Sequence, residues 1–353
     1  MNRNLRIKDK IIDSSSSAFI IAELSANHLQ NFNNAVKLVK EAKKSGADAV
    51  KLQTYTPDTI TLDCDNQYFQ IKQGTIWDGT TLYKLYQKAY TPWDWQPKLK
   101  KIAEDEGLIC FSSPFDRSAV DFLEKIKVPA YKIASFEITD IPFVEYVASR
   151  GKPVIISTGI ARLGDIQEAL DACRKAGNND VILLKCTSEY PSSLEDINLK
   201  TIPNMQNTFN TLVGISDHTL GHTVSLGAVA LGAKVVERHF TLDRAAGGPD
   251  SAFSMEPKEF CQMVKDIRDM EKALGSVSYE LTEKQIKSRE HSRSLFVVRD
   301  MKAGEMFTED NVRSIRPSFG IEPKYIYDVL GRKARCDIEK GTPLKWELIE
   351  NIY

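Results

Sequence analysis

The sequence carries almost no net charge, since 47 Lys and Arg face 48 Asp and Glu and the formal net charge is −1. That balance gives no general attraction to nucleic acid or to an anionic membrane, so a charged ligand would have to be held by a local pocket. The sequence also lacks an apolar run of the roughly 18 residues that a membrane helix needs. Its first residues, MNRNLRIKDKIID, have no apolar segment behind the basic ones, so no signal peptide is predicted.

Cysteine is scarce as well, with six residues in 353 and no CxxC pair. Cys110 and Cys186 lie in apolar strand patterns, where a free thiol behaves as a small hydrophobic side chain. A disulfide framework and a zinc finger are therefore not expected, and a reducing cytoplasm is the predicted location. The length and the hydrophobic content of 42% favour a globular chain with one large and one small domain.

What the sequence does have is an alternation of strand and helix patterns that recurs eight times. The strand candidates are mostly continuous apolar runs that end in polar residues, as expected of parallel strands covered on both faces. They span residues 19–24, 49–55, 108–115, 130–135, 153–159, 181–187, 213–219 and 234–240. The pattern predicts an α/β fold, a TIM (β/α)8 barrel within residues 1–275, with an open doubly wound sheet as the alternative.

The longest break in this rhythm, residues 56–98, is rich in aromatic residues and contains Trp77, Trp93 and Trp95. A loop of this length inside a compact barrel is usually functional. Two interpretations stay open: a lid over the mouth of the barrel, or a surface excursion held by its own aromatic packing.

After the predicted barrel, residues 276–290 form a predicted linker, and the alternation of strand and helix patterns does not continue in residues 291–353. Residues 300–307 are echoed by residues 337–344, and each copy begins with Asp and has Gly at its fifth position, preceded closely by Lys. The repeat is interpreted as a duplicated β-hairpin. The tail is therefore predicted to be a small, mostly β domain that is marginal alone and docks on another surface.

Two histidines follow neighbouring strands near the end of the predicted barrel. The strand–helix–strand pattern of residues 214–240 places His218 and His239 at the carboxyl ends of adjacent parallel strands, beside Asp217 and Glu237. A single histidine there would be read as a buried residue bonded to a backbone carbonyl. Two that converge favour a divalent metal with open coordination positions.

Lysines inside the strand patterns give a second signal, because a buried ammonium group needs anionic partners. Lys51, Lys132 and Lys185 lie in three different strands. Together with the serines at other strand ends, they predict an anion cradle for a phosphate, or for a phosphate plus a carboxylate. The polar residues at the strand ends are Glu23, Gln53, Ser112, Ser113, Ser135, Glu137, Ser157, Thr158, Ser188 and Ser216.

Eight short motifs in this order resemble the sialic acid synthase family, which condenses phosphoenolpyruvate with an amino sugar to give a nine-carbon sugar acid. They are AELSANH (22–28), GADAVKLQ (46–53), FSSPF (111–115), YKIASFE (131–137), ISTG (156–159), CTSEYP (186–191), SDHT (216–219) and ERHF (237–240). In the tail, SRSL (292–295) and RPSFG (316–320) resemble the family's SAF (antifreeze-like, β-clip) domain.

Within the family, QTYTPD (53–58), WDG (77–79) and TPWDW (91–95) resemble the branch that makes pseudaminic acid. That likeness implies 2,4-diacetamido-2,4,6-trideoxy-altrose as the sugar. The alternatives are an N-acetylneuraminate or a legionaminate synthase. The N-acetylneuraminate branch typically has Asn at the position of Ser188.

The resemblance also implies roles for individual residues. His218 and His239 would hold a divalent Mn or Mg ion, and Glu23 would either stabilise a cationic centre or position a water molecule. Phosphoenolpyruvate would be bound by Lys51, Lys132, Ser135, Ser157, Ser188 and Ser216. The N-acetylated sugar would be bound by Gln53, Glu137, Tyr190, Asp250 and Arg316. Arg316 resembles an arginine that one subunit inserts into its partner's barrel, which implies a domain-swapped homodimer.

Two rival functions are weaker. A related barrel synthase making a keto-deoxy phosphosugar acid would lack the repeat-containing tail. A carbohydrate-binding protein without catalysis would have no need for Glu23, Lys132 and the two histidines.

Overall fold

A computed structural model describes residues 4–72 and 74–350, and eight parallel strands in it close into a barrel. The barrel strands are β3 (Phe19–Glu23), β4 (Ala49–Thr54), β5 (Ile109–Pro114), β6 (Tyr131–Ile133), β7 (Val154–Ser157), β8 (Val181–Cys186), β9 (Leu212–Ser216) and β10 (Val235–His239), preceded by an antiparallel hairpin of β1 (Leu5–Ile7) and β2 (Lys10–Ile12). The last barrel strand, β10, pairs with the first barrel strand, β3, as well as with β9. The predicted barrel is confirmed, and the open sheet is wrong.

Helices alternate with the strands and cover the outside of the barrel. They are α1 (Phe32–Lys44), α2 (Pro57–Ile60), α3 (Leu82–Ala89), α4 (Gln96–Asp105), α5 (Arg117–Lys125), α6 (Ile141–Ala148), α7 (Leu163–Lys175), α8 (Thr201–Phe209), α9 (Thr223–Ala230) and α10 (Pro257–Leu274). Short polar side chains begin several of them: Asn31, Asp116 and Asp140 accept backbone N–H groups of the first turns of α1, α5 and α6. Because the helices cover one face of each strand and the barrel interior the other, every residue of β3 is buried.

The long insertion between β4 and α4 is partly held by aromatic packing on the barrel body. Trp93 donates its indole N–H to the carbonyl of Tyr55 at 3.1 Å, and its ring centroid lies 4.9 Å from that of Phe122 in α5. Trp95 packs edge-on against His28, with 5.6 Å between ring centroids. The packing of these two tryptophans agrees with the interpretation of the insertion as a surface excursion held by its aromatic residues. Trp77 has different neighbours, which are described below.

A second compact unit begins at Ser276. It contains α11 (Glu283–Arg289), α12 (Ile326–Val329) and an antiparallel pair, β11 (Ser294–Val297) with β12 (Val312–Ile315). Its own core gathers apolar side chains from the whole unit: Leu295, Val297, Met301, Phe307, Val312, Ile321, Val329, Ala334, Ile338, Leu344 and Ile349.

The internal repeat in this unit does not form two hairpins, which corrects the prediction. Instead the two copies pair with each other, since Met301 and Ile338 exchange both backbone hydrogen bonds. The aspartate that opens each copy also accepts a backbone N–H from the turn of the other copy, at 2.8 and 2.9 Å. A sequence repeat predicts two similar backbone turns but does not say which segments pair.

Within the described ranges, 4–72 and 74–350, no helix is long and apolar enough to cross a lipid bilayer. All six cysteines fall inside these ranges, and each is a free thiol.

Candidate active site

Barrel closure brings the two ends of the first unit's sequence together at the carboxyl ends of the strands. Because β3 lies between β10 and β4, Glu23 is in register with His239 on one side and with Lys51 on the other. Glu237 is in register with Ser216 of β9. The predicted site residues of the first and last barrel strands are therefore direct neighbours.

Four buried charges form the centre of this region, and we call Glu23, Lys51, Lys132 and Glu237 the charge quartet. Lys51 Nζ lies 2.6 Å from Glu23 Oε2, and Glu237 Oε1 lies 3.6 Å from Lys51 Nζ and 3.7 Å from Lys132 Nζ. None of the four is more than 4% exposed. Two ammonium groups and two carboxylates balance, so no member is an isolated buried charge, which would be strongly unfavourable.

Burial and the neighbouring opposite charges shift the pKa values of the quartet in opposite directions. Burial raises the pKa of Glu23 even against the pull of Lys51, and burial lowers the pKa of Lys132. For Glu237, burial would raise the pKa, but Lys132 and Lys51 outweigh it and the pKa lies below its usual value. Glu237 is therefore the carboxylate that favours the ionised form, and Glu23 is the one that takes up a proton more readily.

Two serine hydroxyls bond directly to members of the quartet. Ser216 Oγ donates to Glu237 at 3.0 Å, and Lys51 Nζ donates to Ser113 Oγ at 3.2 Å. Ser157 Oγ is buried and has no hydrogen-bond partner within the described chain. Ser157 ends β7, which pairs with the strand of Lys132, and a buried hydroxyl without a partner there is suited to donate to a bound anion.

A glycine keeps two of the predicted serines close together. A Cβ at Gly159 would lie 2.1 Å from Ser188 Oγ and 2.8 Å from Ser135 Oγ, so only glycine allows both hydroxyls to approach this backbone. The N–H of Gly159 donates to Ser135 Oγ at 3.2 Å. Lys185, the third lysine of the predicted cradle, is not brought to it, because its ammonium group donates to the Cys186 carbonyl at 2.8 Å and to Thr187 at 3.2 Å.

The two histidines converge, with 5.3 Å between their ring centroids. His218 Nδ1 lies 3.0 Å from the carbonyl oxygen of Thr187, which can only accept, so Nδ1 is the donor and the neutral form of the ring has its lone pair on Nε2. His239 Nδ1 is buried without a hydrogen-bond partner in the described ranges, and burial holds the pKa of His239 well below its usual value. A neutral imidazole with an unused nitrogen is a good metal ligand.

The donor set around the histidines fits a divalent ion that keeps open positions. In the described part of the chain, no three side chains of the types His, Cys, Asp and Glu form a metal-binding group. The pair would therefore supply two ligands, and substrate and water the others. Asp217, which the sequence placed beside the pair, is held instead by Arg238 at 2.7 Å and accepts from Ser225 at 2.6 Å.

Two residues predicted to bind the sugar, Gln53 and Asp250, are linked by hydrogen bonds to the Glu23 oxygen that Lys51 does not contact. Gln53 Nε2 donates to Glu23 Oε1 at 3.0 Å and to Ser25 Oγ at 3.1 Å, and Ser25 in turn donates to Asp250. Burial raises the pKa of Asp250, and it raises that of Glu137 to about 7. Arg316 belongs to the second unit, where it is exposed.

An aromatic group faces the histidines. The Tyr190 ring lies 4.4 Å from that of His218, and the Phe253 ring lies 4.9 Å from that of His239, measured between centroids. Tyr190 was predicted as a site residue, and Phe253 was missed. Glu237 was noted only as a neighbour, although it lies two residues before His239 on one strand and so shares its face.

A closed barrel with charged groups, hydroxyls and two imidazoles at the carboxyl ends of its strands defines an α/β-barrel enzyme. The model of the NeuB family matches residues 38–279, and that of the SAF domain matches residues 292–350. The chain belongs to the NeuB family, which confirms the resemblance read from the motifs.

Individual relatives span nearly the whole chain. The pseudaminic acid synthase of Campylobacter jejuni subsp. jejuni is 47% identical over 333 residues, which cover 94% of this chain and 97% of the relative. The N,N'-diacetyllegionaminic acid synthase of Legionella pneumophila is 36% identical over 342 residues, covering 96% of each. A crystal structure of N-acetylneuraminic acid synthetase from Leptospira borgpetersenii superimposes with a TM-score of 0.73 at 30% identity, covering 82% of this chain and 95% of that one.

The Glu137→Gln substitution should stabilise the protein near neutral pH but not in acid. The pKa of Glu137 is about 7 in the folded protein against 4.5 ordinarily, so the unfolded chain ionises first as the pH rises. The wild type should therefore lose stability relative to the variant between these two values, and the difference should stay constant above them. Thermal unfolding across this pH range measures it, with Glu168→Gln, an exposed carboxylate of α7, as the control. A Tm difference that does not vary with pH would contradict the assignment.

Proposed function

We propose that this protein condenses phosphoenolpyruvate with 2,4-diacetamido-2,4,6-trideoxy-altrose and water, giving pseudaminic acid and phosphate. The observation that carries the proposal is the pair of buried ammonium groups, held with serine hydroxyls on strand ends next to two converging histidines. A dianionic or trianionic substrate and an aldehyde that needs polarising would use these two features together. The synthase named pseudaminic at 47% identity supports the choice of sugar.

Phosphoenolpyruvate is assigned to the cradle of Lys51, Lys132 and the serines at positions 135, 157, 188 and 216. Its phosphate and carboxylate would accept from the ammonium groups, which are now held by Glu23 and Glu237. Charge-assisted hydrogen bonds of this kind are roughly twice as strong as neutral ones. The hydroxyl of Ser157, which is buried without a partner in residues 4–72 and 74–350, would donate to the same anion.

His218 and His239 would hold the divalent ion, Mn or Mg. When bound, it supplies a Lewis acid for the aldehyde oxygen of the open-chain sugar. Around it, this chain's own residues would position the sugar: Gln53 and Asp250 lie on the hydrogen-bonded chain that begins at Glu23, and Tyr190 packs on His218. Glu137 is the fourth proposed contact.

The reaction forms one carbon–carbon bond and breaks one carbon–oxygen bond. The electron pair of the enol attacks the aldehyde carbon, which leaves carbon 2 of the phosphoenolpyruvate unit as an oxygen-stabilised cation. Water adds there, and its two protons end on the former aldehyde oxygen, which becomes a hydroxyl, and on the departing phosphate. The tetrahedral intermediate expels that phosphate by breaking the bond between carbon 2 and the phosphate oxygen, and carbon 2 becomes a carbonyl. Glu23 suits both roles that the sequence left open, because its carboxylate stabilises the cation and its raised pKa favours taking the proton of the water.

Arg316 and the homodimer are part of the proposal. Arg316 precedes a turn fixed within the second unit, since Ser294 Oγ donates to the carbonyl of Pro317 at 2.7 Å and Ser318 Oγ to that of Arg289 at 2.9 Å. A permanent cation on such a rigid turn is suited to reach a substrate bound elsewhere. We infer a domain-swapped homodimer in which Arg316 completes the partner's site. The cytoplasmic location likewise stays a prediction.

Incubation of the metal-loaded enzyme with phosphoenolpyruvate and a panel of acetamido sugars tests the function. We expect phosphate release and a product with the mass of pseudaminic acid from the diacetamido-altrose. N-acetylmannosamine and the legionaminate precursor should give far less product. A higher kcat/KM for either of these sugars would replace the proposed substrate with that one, and no phosphate release with any sugar would refute the synthase.

The same assay tests the cradle. Lys132→Ala should raise the KM for phosphoenolpyruvate roughly 10- to 100-fold and leave the sugar's KM nearly unchanged, because one charged hydrogen bond is lost. Lys185→Ala is the matched control, since that lysine also lies in a barrel strand but bonds outside the quartet.

Metal removal should stop condensation completely and reversibly. Chelation removes the Lewis acid, and added Mn or Mg should restore phosphate release. His239→Ala should mimic chelation with little change in Tm. His222→Ala is the control and should stay active, because His222 pairs with Asp266 at 3.0 Å and does not belong to the histidine pair. Full activity of the chelated enzyme, or of the His239 variant, would exclude the histidine pair as the metal site.

A heterodimer purified with two different tags should decide whether Arg316 acts across subunits. One chain is wild type, and the other carries both Glu23→Ala and Arg316→Ala. If the arginine serves the partner, each lesion breaks a different site and activity is nearly lost. Retention of about half the wild-type activity would show that the arginine serves its own chain, as expected of one intact site in two.

A further inference from the structure

Trp77 is the one tryptophan of the insertion whose ring lies beside the candidate site. Its ring centroid is 5.5 Å from that of Tyr190 and 6.5 Å from that of Phe253. Those two rings pack directly on the histidine pair. Trp77 therefore stands one aromatic ring away from the place assigned to the aldehyde.

Trp77 also ties the insertion to a loop that follows the last barrel strand. Its indole N–H donates to the carbonyl of Pro249 at 2.7 Å. The next residue, Asp250, accepts from Ser25, and the two residues before Pro249, Gly247 and Gly248, have φ angles of +76° and +122° that favour glycine. The Trp77 hydrogen bond thus anchors a glycine-containing loop at the residue before Asp250, in addition to the bond from Ser25.

We propose that Trp77 is a positioning and specificity residue for the sugar. Its indole completes an aromatic wall with Tyr190 and Phe253 that receives the methyl of an acetamido substituent, and its N–H holds Asp250 where the polar side of that substituent lies. An acetamido group matches this arrangement because it is apolar at its methyl and polar at its amide. A sugar with a hydroxyl in the same place would lose the apolar contact. The inference rests on the proposed function and deepens it.

The insertion supplies its own control. Trp93 lies in the same segment and donates its indole N–H to a backbone carbonyl, that of Tyr55, in the same way as Trp77. Its ring, however, packs on Phe122 of α5, and no ring contact joins it to the histidine pair in the described ranges. Substitutions of Trp93 thus cost an equivalent hydrogen bond and aromatic contact without touching the site.

Kinetics on the metal-loaded enzyme test the proposal. Trp77→Ala should raise the KM for the diacetamido sugar about 10- to 100-fold, because a buried apolar contact and a fixed loop are lost, with the KM for phosphoenolpyruvate within about twofold of wild type. Trp77→Phe keeps an aromatic ring and loses the N–H, so its KM for the diacetamido sugar should lie between those of the wild type and Trp77→Ala. Trp93→Ala should lower the Tm and leave both KM values unchanged.

Specificity gives a readout that a merely structural role would not move. The wild-type preference in kcat/KM for the diacetamido sugar over a mono-acetamido analogue should shrink at least about fivefold in Trp77→Ala. It should stay unchanged in Trp93→Ala. Adding the sugar to the enzyme bound to phosphoenolpyruvate should also change tryptophan emission, and that change should vanish in Trp77→Phe but persist in Trp93→Phe.

Two results would overturn the inference. One is a Trp77→Ala variant with wild-type sugar KM and wild-type preference. The other is a variant in which both KM values and the Tm worsen together, as they would for a residue that only supports the fold. Failure of the proposed function is distinct, because the wild-type enzyme itself would then make no product from the diacetamido sugar.

Discussion

The site depends on keeping two lysines charged inside a closed barrel. Lys51 and Lys132 are almost fully buried, and a buried ammonium group persists only with anionic partners close by. Glu237 supplies one carboxylate to both, and Glu23 supplies a second to Lys51. Because Glu237 comes from the last barrel strand and Glu23 from the first, the quartet exists only where β10 pairs with β3. The quartet is therefore assembled only when the barrel closes.

The remaining parts of the site hold neighbouring strand ends in fixed positions around this quartet. The buried Asp217–Arg238 pair locks the turn after β9 to β10, behind the histidines. The carbonyl of Thr187 fixes the tautomer of His218 from β8. Neither contact is itself placed where a substrate would bind. Each instead sets the orientation of a neighbouring group of the candidate site.

The sequence was most informative where one strand carries its own signal. Continuous apolar runs ending in polar residues located all eight strands, and strand ends located the histidines, the two cradle lysines and most serines. Lys185 was placed wrongly because a lysine in a strand can face either side, and it faces away. The N-terminal hairpin was missed because its strands have three residues each. The pairing of the two tail copies, and the contact of Trp77 with a carbonyl 172 positions away, depend on tertiary packing that no local pattern encodes.

Charge balance then couples the ligands of the proposed reaction. The quartet is neutral by itself, so a phosphate and a carboxylate entering among its lysines leave buried negative charge uncompensated. Two sources of compensation are within the site: a divalent cation at the histidine pair and a proton on Glu23, whose pKa is already raised by burial. In the proposed reaction, metal and phosphoenolpyruvate would therefore strengthen each other's binding, and by thermodynamic linkage the effect would be equal in both directions. The same pairing means that each lysine of the quartet has a carboxylate partner before any substrate enters.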